Sequence, residues 1–90
     1  METQKINTAV VILNWNGIDW LKKFLPIIID KSNIANIYLA DNASDDSSVE
    51  FVKNNFPAVN IIQNLYNVGF AKGYNQALSK LTEKYFLSVI

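Results

Sequence analysis

The stretch Leu39-Ala-Asp-Asn-Ala-Ser-Asp-Asp-Ser-Ser48 decides the fold. Before it lies Asn36-Ile-Tyr-Leu-Ala40, a short apolar run of strand-forming residues. After it lies Val49-Glu-Phe-Val-Lys-Asn-Asn55, which reads as a helix. An apolar strand therefore stops at Asp41, the chain turns through polar residues, and a helix starts near Asp45. This order puts Asp41 and Asn42 at the carboxyl end of a strand, the edge where open α/β sheets bind ligands. Asp45, Asp46, Ser47 and Ser48 have a simpler use. Each can accept from free amides of the first helical turn, and acids suit the positive helix end. Asp41 lies too far before the helix for capping, which makes it the functional candidate.

Working outward, Ile6 to Leu13 reads as a strand. Its Ala-Val-Val-Ile-Leu portion is continuously apolar, as in a strand covered on both faces. Asn14-Trp-Asn-Gly17 breaks it, with Gly17 and Asn16 both able to take a positive φ. A helix follows from Gly17 or Asp19, with Ile18, Leu21, Phe24, Leu25 and Ile28 at helical spacing. Pro26 is expected to kink that helix or end its regular part. Lys31-Ser-Asn33 is a turn, and Ile34 to Ala40 is the second strand. Ser47 to Asn55 forms the second helix, with Val49, Phe51, Val52 and Phe56 inward. Val59 to Gln63 is a third strand and Asn64 to Gly69 a loop. Phe70 to Leu81 is a third helix, with Phe70, Tyr74, Ala77, Leu78 and Leu81 on one side. A turn at Thr82–Lys84 leads to a fourth strand, Tyr85 to Ile90.

Alternating strands and helices specify an α/β fold with a parallel sheet, helices on both faces and right-handed crossovers. The sequence stops on a strand, where the next functional loop would begin. We therefore expect a truncated nucleotide-binding domain, the front portion of a larger one. Its fourth strand is expected to lack a neighbour and to favour self-association through the exposed sheet edge.

Composition narrows the chemistry. Ninety residues, half of them hydrophobic, allow one small domain. A net charge of zero gives no electrostatic footprint for nucleic acid. Cysteine and histidine are both absent, which removes disulfides, thiolate metal sites, the cysteine nucleophile and the commonest general base. Catalysis would have to rest on carboxylates, a bound metal, or residues outside the chain. No apolar run reaches the length of a membrane span. The polar start Met1-Glu-Thr-Gln-Lys5 is unlike a signal peptide, so a cytoplasmic location is expected. Asn42-Ala-Ser44 then matches the glycosylation sequon only by chance.

Three loops follow strands on the same sheet edge: Asn14-Trp-Asn-Gly17, Asp41-Asn-Ala-Ser44, and Asn64 to Asn75. The first brings an aromatic ring and amide side chains, the second a carboxylate, the third glycines that let a ligand approach the backbone. An apolar surface for a base, a carboxylate for a ring N–H and free helix-start amides for phosphates make a nucleotide site. The Gly69-to-Gly73 spacing matches neither the Walker nor the dinucleotide pattern. Each residue also has a plainer use: Trp15 as a cover for the sheet edge, Lys72 as a solvated helix residue, Asn75 as polar glue in a helix, Gly69 and Gly73 as packing devices.

Val10-Val-Ile-Leu-Asn-Trp-Asn-Gly17, Ala40-Asp-Asn-Ala-Ser-Asp-Asp-Ser47 and Asn67-Val-Gly-Phe-Ala-Lys-Gly-Tyr-Asn75 occur in order along almost the whole chain. Together they resemble the N-terminal part of family 2 glycosyltransferases, and most of all the rhamnosyltransferase-like members that build bacterial surface polysaccharides. The resemblance implies a GT-A fold, a Rossmann-like sheet that binds a UDP- or dTDP-linked sugar and passes the sugar to a glycan or lipid-linked acceptor. It implies that Asn14 and Asn16 line the nucleotide pocket with Trp15, and that Asp41, beside Asn42, accepts from the base. It implies that the segment from Gly69 through Lys72 to Asn75 walls the pocket beside base and ribose. It also implies Mg²⁺ or Mn²⁺ in the full-length protein, held by an Asp-x-Asp just after the fourth strand. The 90 residues contain no Asp-x-Asp, so no metal and no transferase activity are expected of this chain alone. Two departures stand out. Leu13-Asn-Trp-Asn16 replaces the common Pro-Thr-Tyr-Asn, and Tyr74 stands where other members place arginine.

The competing class is a stand-alone α/β module that binds a nucleotide or protein and does no chemistry. A receiver-type module would want acids after the first strand. Here that loop holds Asn14, Trp15 and Asn16.

Overall fold

The computed structural model describes residues 8–32, 35–81 and 85–89. The strand positions expected at Ile6, Asn7, Ile34 and Ile90, Asn33 of the first turn, and the turn at Thr82–Lys84 lie outside the described residues. The described elements alternate as the sequence pattern predicts: β1 (Thr8–Asn14), α1 (Ile18–Lys31), β2 (Asn36–Asp41), α2 (Ser48–Asn55), β3 (Asn60–Gln63), α3 (Phe70–Leu78) and β4 (Tyr85–Val89). All pairings are parallel and the sheet order is β3-β2-β1-β4. The chain steps outward from β1 to β2 to β3, then crosses back over the sheet to β4. Keeping one hand of crossover while reversing direction moves the connecting helix to the other face.

The core shows that division. Successive strand residues point to opposite faces. Val10 and Ile12 of β1 and Ile37 and Leu39 of β2 pack with Leu21 and Leu25 of α1 and Val52 of α2. Ala9, Val11 and Leu13 of β1 and Ala40 of β2 pack with Ala77, Tyr74 and Leu78 of α3. So α1 and α2 cover one face and α3 the other. Small side chains at Ala9, Ala40 and Ala77 let α3 lie close. Leu21 and Leu25 are fully buried, each contributing about 1.5–3 kcal/mol through removal from water. Lys22 reaches across to α2, its Nζ 5.7 Å from the centre of the Phe51 ring.

Pro26 neither ends nor interrupts α1, which runs on to Lys31. The proline lacks the N–H that would bond the carbonyl of Lys22. Both Pro26 and Lys22 are exposed, so water can serve the freed carbonyl. The turn beyond also has packing to gain, because Ile28 and Ile29 rest against the core. The third helix is three residues shorter than its apolar periodicity suggests. After Leu78, Lys80 donates to Ala77 and Leu81 to Leu78. These three-residue spacings tighten the chain into a 3₁₀-like turn, and Leu81 still packs under the sheet. The side chain of Phe70 lies outside the described residues.

Candidate functional site

The register of β1 on β2 sets Asn14 beside Asp41 at the carboxyl end of the sheet. The ladder continues one step further, with the Asn42 amide donating to the Asn14 carbonyl at 2.8 Å and the Asn64 amide to the Asp41 carbonyl at 2.8 Å. Asn14 and Asp41 are 4% and 2% exposed, so their polar groups need partners within the protein. Asn14 Nδ2 donates to Asp41 Oδ1 at 2.9 Å and to Ser44 Oγ at 3.2 Å. Ser44 Oγ donates to Asp41 Oδ1 at 2.7 Å, and its amide to Asp41 Oδ2 at 3.0 Å. The turn bends through Ala43 at φ 63°.

The first loop is laced to the second. Asn16 sits at φ 52°, a conformation that asparagine tolerates. Its amide donates to Ser44 Oγ at 2.9 Å, and its Oδ1 accepts from the amides of Asp45 at 2.7 Å and Asp46 at 3.2 Å. Of the two residues able to take a positive φ here, Asn16 does so and Gly17, at φ −103°, does not. Gly17 is needed for space: a Cβ there would lie 2.5 Å from Asn14 Oδ1.

Of the helix-start amides expected to be free for phosphates, one in α1 and one in α2 are engaged by the same carboxylate. Asp46 Oδ2 accepts from the Ile18 amide at 3.2 Å and Oδ1 from the Ser48 amide at 2.9 Å. The Ser48 hydroxyl also donates to Oδ1. One carboxylate thus serves the first turns of two helices, in keeping with the positive ends it faces. Burial pushes the Asp46 carboxyl up. The hydrogen bonds from the Ser48 hydroxyl and amide and from the Ile18 amide outweigh it and hold the group below its ordinary 3.8. Ser47 occupies the N-cap position of α2 without a side-chain cap bond.

Asn42 is 1% exposed and its amide is given to the third loop. Nδ2 donates to Asn67 Oδ1 at 3.0 Å and to the Gly69 carbonyl at 3.2 Å. Oδ1 accepts from Asn64 Nδ2 at 3.2 Å and from the Val68 amide at 3.3 Å. Gly73 presses α3 onto the same side chain, where a Cβ would stand 3.1 Å from the amide. Gly69 has φ 81° and ψ 167°, a region open to glycine alone, and nothing lies near its missing side chain.

The structure thus brings Asn14, Asn16 and Asp41 together around Ser44, and binds Asn42 to Gly69 and the third loop. Trp15, in the first loop, is 49% exposed. Lys72 and Asn75 are exposed on α3, outside the hydrogen-bonded cluster. Ser44 and Asp46 also join the loops, and the sequence reading does not single them out as site residues. The Asp-x-x-Ser spacing of Asp41 and Ser44 was the available signal, since it lets both serine groups reach the aspartate.

Among the described residues, no three histidine, cysteine or acidic side chains converge as a metal would require, and no helix is long and apolar enough to cross a membrane. A cavity of about 450 Å³ opens at the opposite sheet edge, among Ile29, Ile37, Phe56, Pro57 and Val59. Its lining is mainly apolar, with Ser32, Asn36 and Asn55 as the polar side chains and none that titrates.

No curated protein matches the chain. Among solved structures, the fold is similar to that of the mannosyltransferase PcManGT from Pyrobaculum calidifontis in complex with GDP-Man and Mn²⁺, with a TM-score of 0.72 and 19% identity. The match covers 89% of this chain and 26% of that one, so the chain spans about a quarter of the length of that structure. Its α/β architecture is thus that of a GT-A glycosyltransferase neighbour. The family model for glycosyl transferase family 2 matches residues 9–89, and with nearly its whole length covered, the chain belongs to that family.

Proposed function

We propose that the chain is the nucleotide-binding portion of a glycosyltransferase that moves a sugar from a UDP- or dTDP-linked donor to a glycan or lipid-linked acceptor. In this reading the enzyme belongs with the rhamnosyltransferase-like members and builds bacterial surface polysaccharide. It works in the cytoplasm, peripheral to the inner membrane, which fractionation of cells expressing it would test. The observation that carries the nucleotide reading is the Asp41 carboxylate, buried at the carboxyl end of β2 and held by Asn14 and Ser44. An ionised carboxylate can only accept. It therefore selects a base with a ring N–H, as in uracil, thymine and guanine, over cytosine and adenine, whose matching ring nitrogens accept. Trp15 offers the base an apolar face. The GDP-Man in the neighbouring structure supports a nucleoside-diphosphate sugar as the donor class.

Calorimetric titration of UDP, dTDP, GDP, CDP and ADP into the chain tests this. UDP or dTDP should bind, and CDP and ADP roughly tenfold or more weakly than it. Asp41→Ala should lose about 1–3 kcal/mol of that affinity by leaving the base N–H unpaired, with circular dichroism unchanged. Equal affinity for wild type and Asp41→Ala would remove Asp41 from the site.

The longer enzyme would use Mg²⁺ or Mn²⁺. The described residues do not by themselves make a centre for either. The chain alone is expected to transfer no sugar with or without Mn²⁺, and turnover of any nucleotide sugar would contradict this. Among the described strands, β3 and β4 each have one sheet neighbour, and unpaired edges invite pairing. Light scattering should therefore find self-association, against which a strictly monomeric species at high concentration would count.

A further inference from the structure

We propose that Ser44 is a positioning residue of the nucleotide site, fixing the plane of the Asp41 carboxylate and tying it to the first loop; this rests on the nucleotide reading above. Rotation of an aspartate carboxylate about its last torsion is broad and soft. Ser44 grips that group at both oxygens, its hydroxyl donating to Oδ1 at 2.7 Å and its amide to Oδ2 at 3.0 Å. A two-point grip sets the plane. Oδ1 also accepts from Asn14 at 2.9 Å, so among the described residues it has two donors and Oδ2 one. With about two accepting sites on each oxygen, Oδ2 is the oxygen that retains capacity for a ligand N–H.

The same hydroxyl accepts from the Asn16 amide at 2.9 Å and from Asn14 Nδ2 at 3.2 Å. A serine hydroxyl has one donor and two accepting sites, and all three are used. Asn14 and Asn16 belong to the loop after β1, Asp41 and Ser44 to the loop after β2. One oxygen atom therefore holds the carboxylate, the Asn14 amide and the backbone beneath Trp15 in a single arrangement. Without it, Asp41 keeps Asn14 and the Ser44 amide but loses the grip on Oδ1 from its own loop, and the Asn16 amide loses its partner.

A purely structural turn residue would lower stability and leave the ligand contact of Asp41 alone. Positioning makes a different claim: the effect of Ser44 on binding passes through Asp41. The experiment is calorimetric titration of UDP and dTDP into wild type, Ser44→Ala, Ser44→Thr, Asp41→Ala and the Asp41→Ala/Ser44→Ala pair. Amide hydrogen exchange at Asn16 is followed alongside. Ser44→Ala should bind roughly tenfold more weakly, and Ser44→Thr, which keeps the hydroxyl, should recover most of that loss. On the Asp41→Ala background, removing the Ser44 hydroxyl should change affinity little. Exchange at the Asn16 amide should quicken in Ser44→Ala while that of Val11 in the core stays slow. If wild type binds and Ser44→Ala binds equally, or if its loss persists undiminished without Asp41, the proposal is overturned while the nucleotide reading stands. If wild type binds neither nucleotide, the nucleotide reading itself fails and the proposal falls with it.

Discussion

Asp46 and Asp41 lie five residues apart at one sheet edge, and their surroundings give them different work. Asp46 faces the first turns of α1 and α2 and takes donors from Ile18 and Ser48. Asp41 lies behind Asn14 and Ser44 at the strand end. Because the folded carboxyl of Asp46 lies below its ordinary 3.8, folding favours its ionised form. Its stabilisation is fully present above 3.8 and is lost as pH falls through the lower folded value. A carbon-13 NMR titration of the Asp46 carboxyl should therefore show a midpoint below 3.8, and Asp46→Asn should lose less stability than wild type over that acid range. A midpoint at or above 3.8 would contradict the two-helix role. The place of Asp41 at the carboxyl end of β2 was legible in the sequence because an apolar strand ends on it. The Asp46–Ile18 and Ser44–Asn16 bonds were not, because they join positions 28 apart and exist only once β1 and β2 pair in register.

The elements themselves follow from local pattern, with two exceptions of a physical kind. Pro26 is expected to kink α1 or end its regular part; the helix does not end there, since the carbonyl the proline frees belongs to exposed Lys22, and Ile28 and Ile29 hold the following turn to the core. Leu81 was assigned to α3 by spacing. That spacing persists through a 3₁₀-like turn, so apolar periodicity alone could not place the helix end. At the start of α3, Gly69 combines φ 81° with ψ 167°. A side chain there meets no neighbour, so any cost is one of backbone conformation. Gly69→Ala should lower stability by about 1–3 kcal/mol, measured by urea denaturation. An unchanged midpoint would show that the third loop readily takes another path into the helix.

The whole molecule has two ends of unlike character. At the carboxyl end, Asn14, Asp41, Asn42 and Asn64 are buried polar residues tied into one edge. At the other end lies a cavity of about 450 Å³, lined mainly by apolar side chains. The sheet order places the switch of direction between β1 and β4, and in open α/β sheets ligands bind outside the carboxyl ends of strands at such a switch. The strand–helix alternation made the sheet legible, and with it the three loops on one edge. It could not reveal that Asn42 would be consumed in holding the third loop, because its partners Asn64, Asn67 and Gly69 come from the loop after β3. We propose that this edge receives a nucleotide. The most direct test is a nitrogen-15 NMR titration of the chain with UDP and dTDP, following every backbone amide. Shifts should concentrate at residues 14–17, 41–44 and 67–75, with Ile29, Asn36, Ile37 and Val59 unmoved. Shifts confined to the cavity at the opposite edge, or none anywhere at millimolar nucleotide, would contradict it.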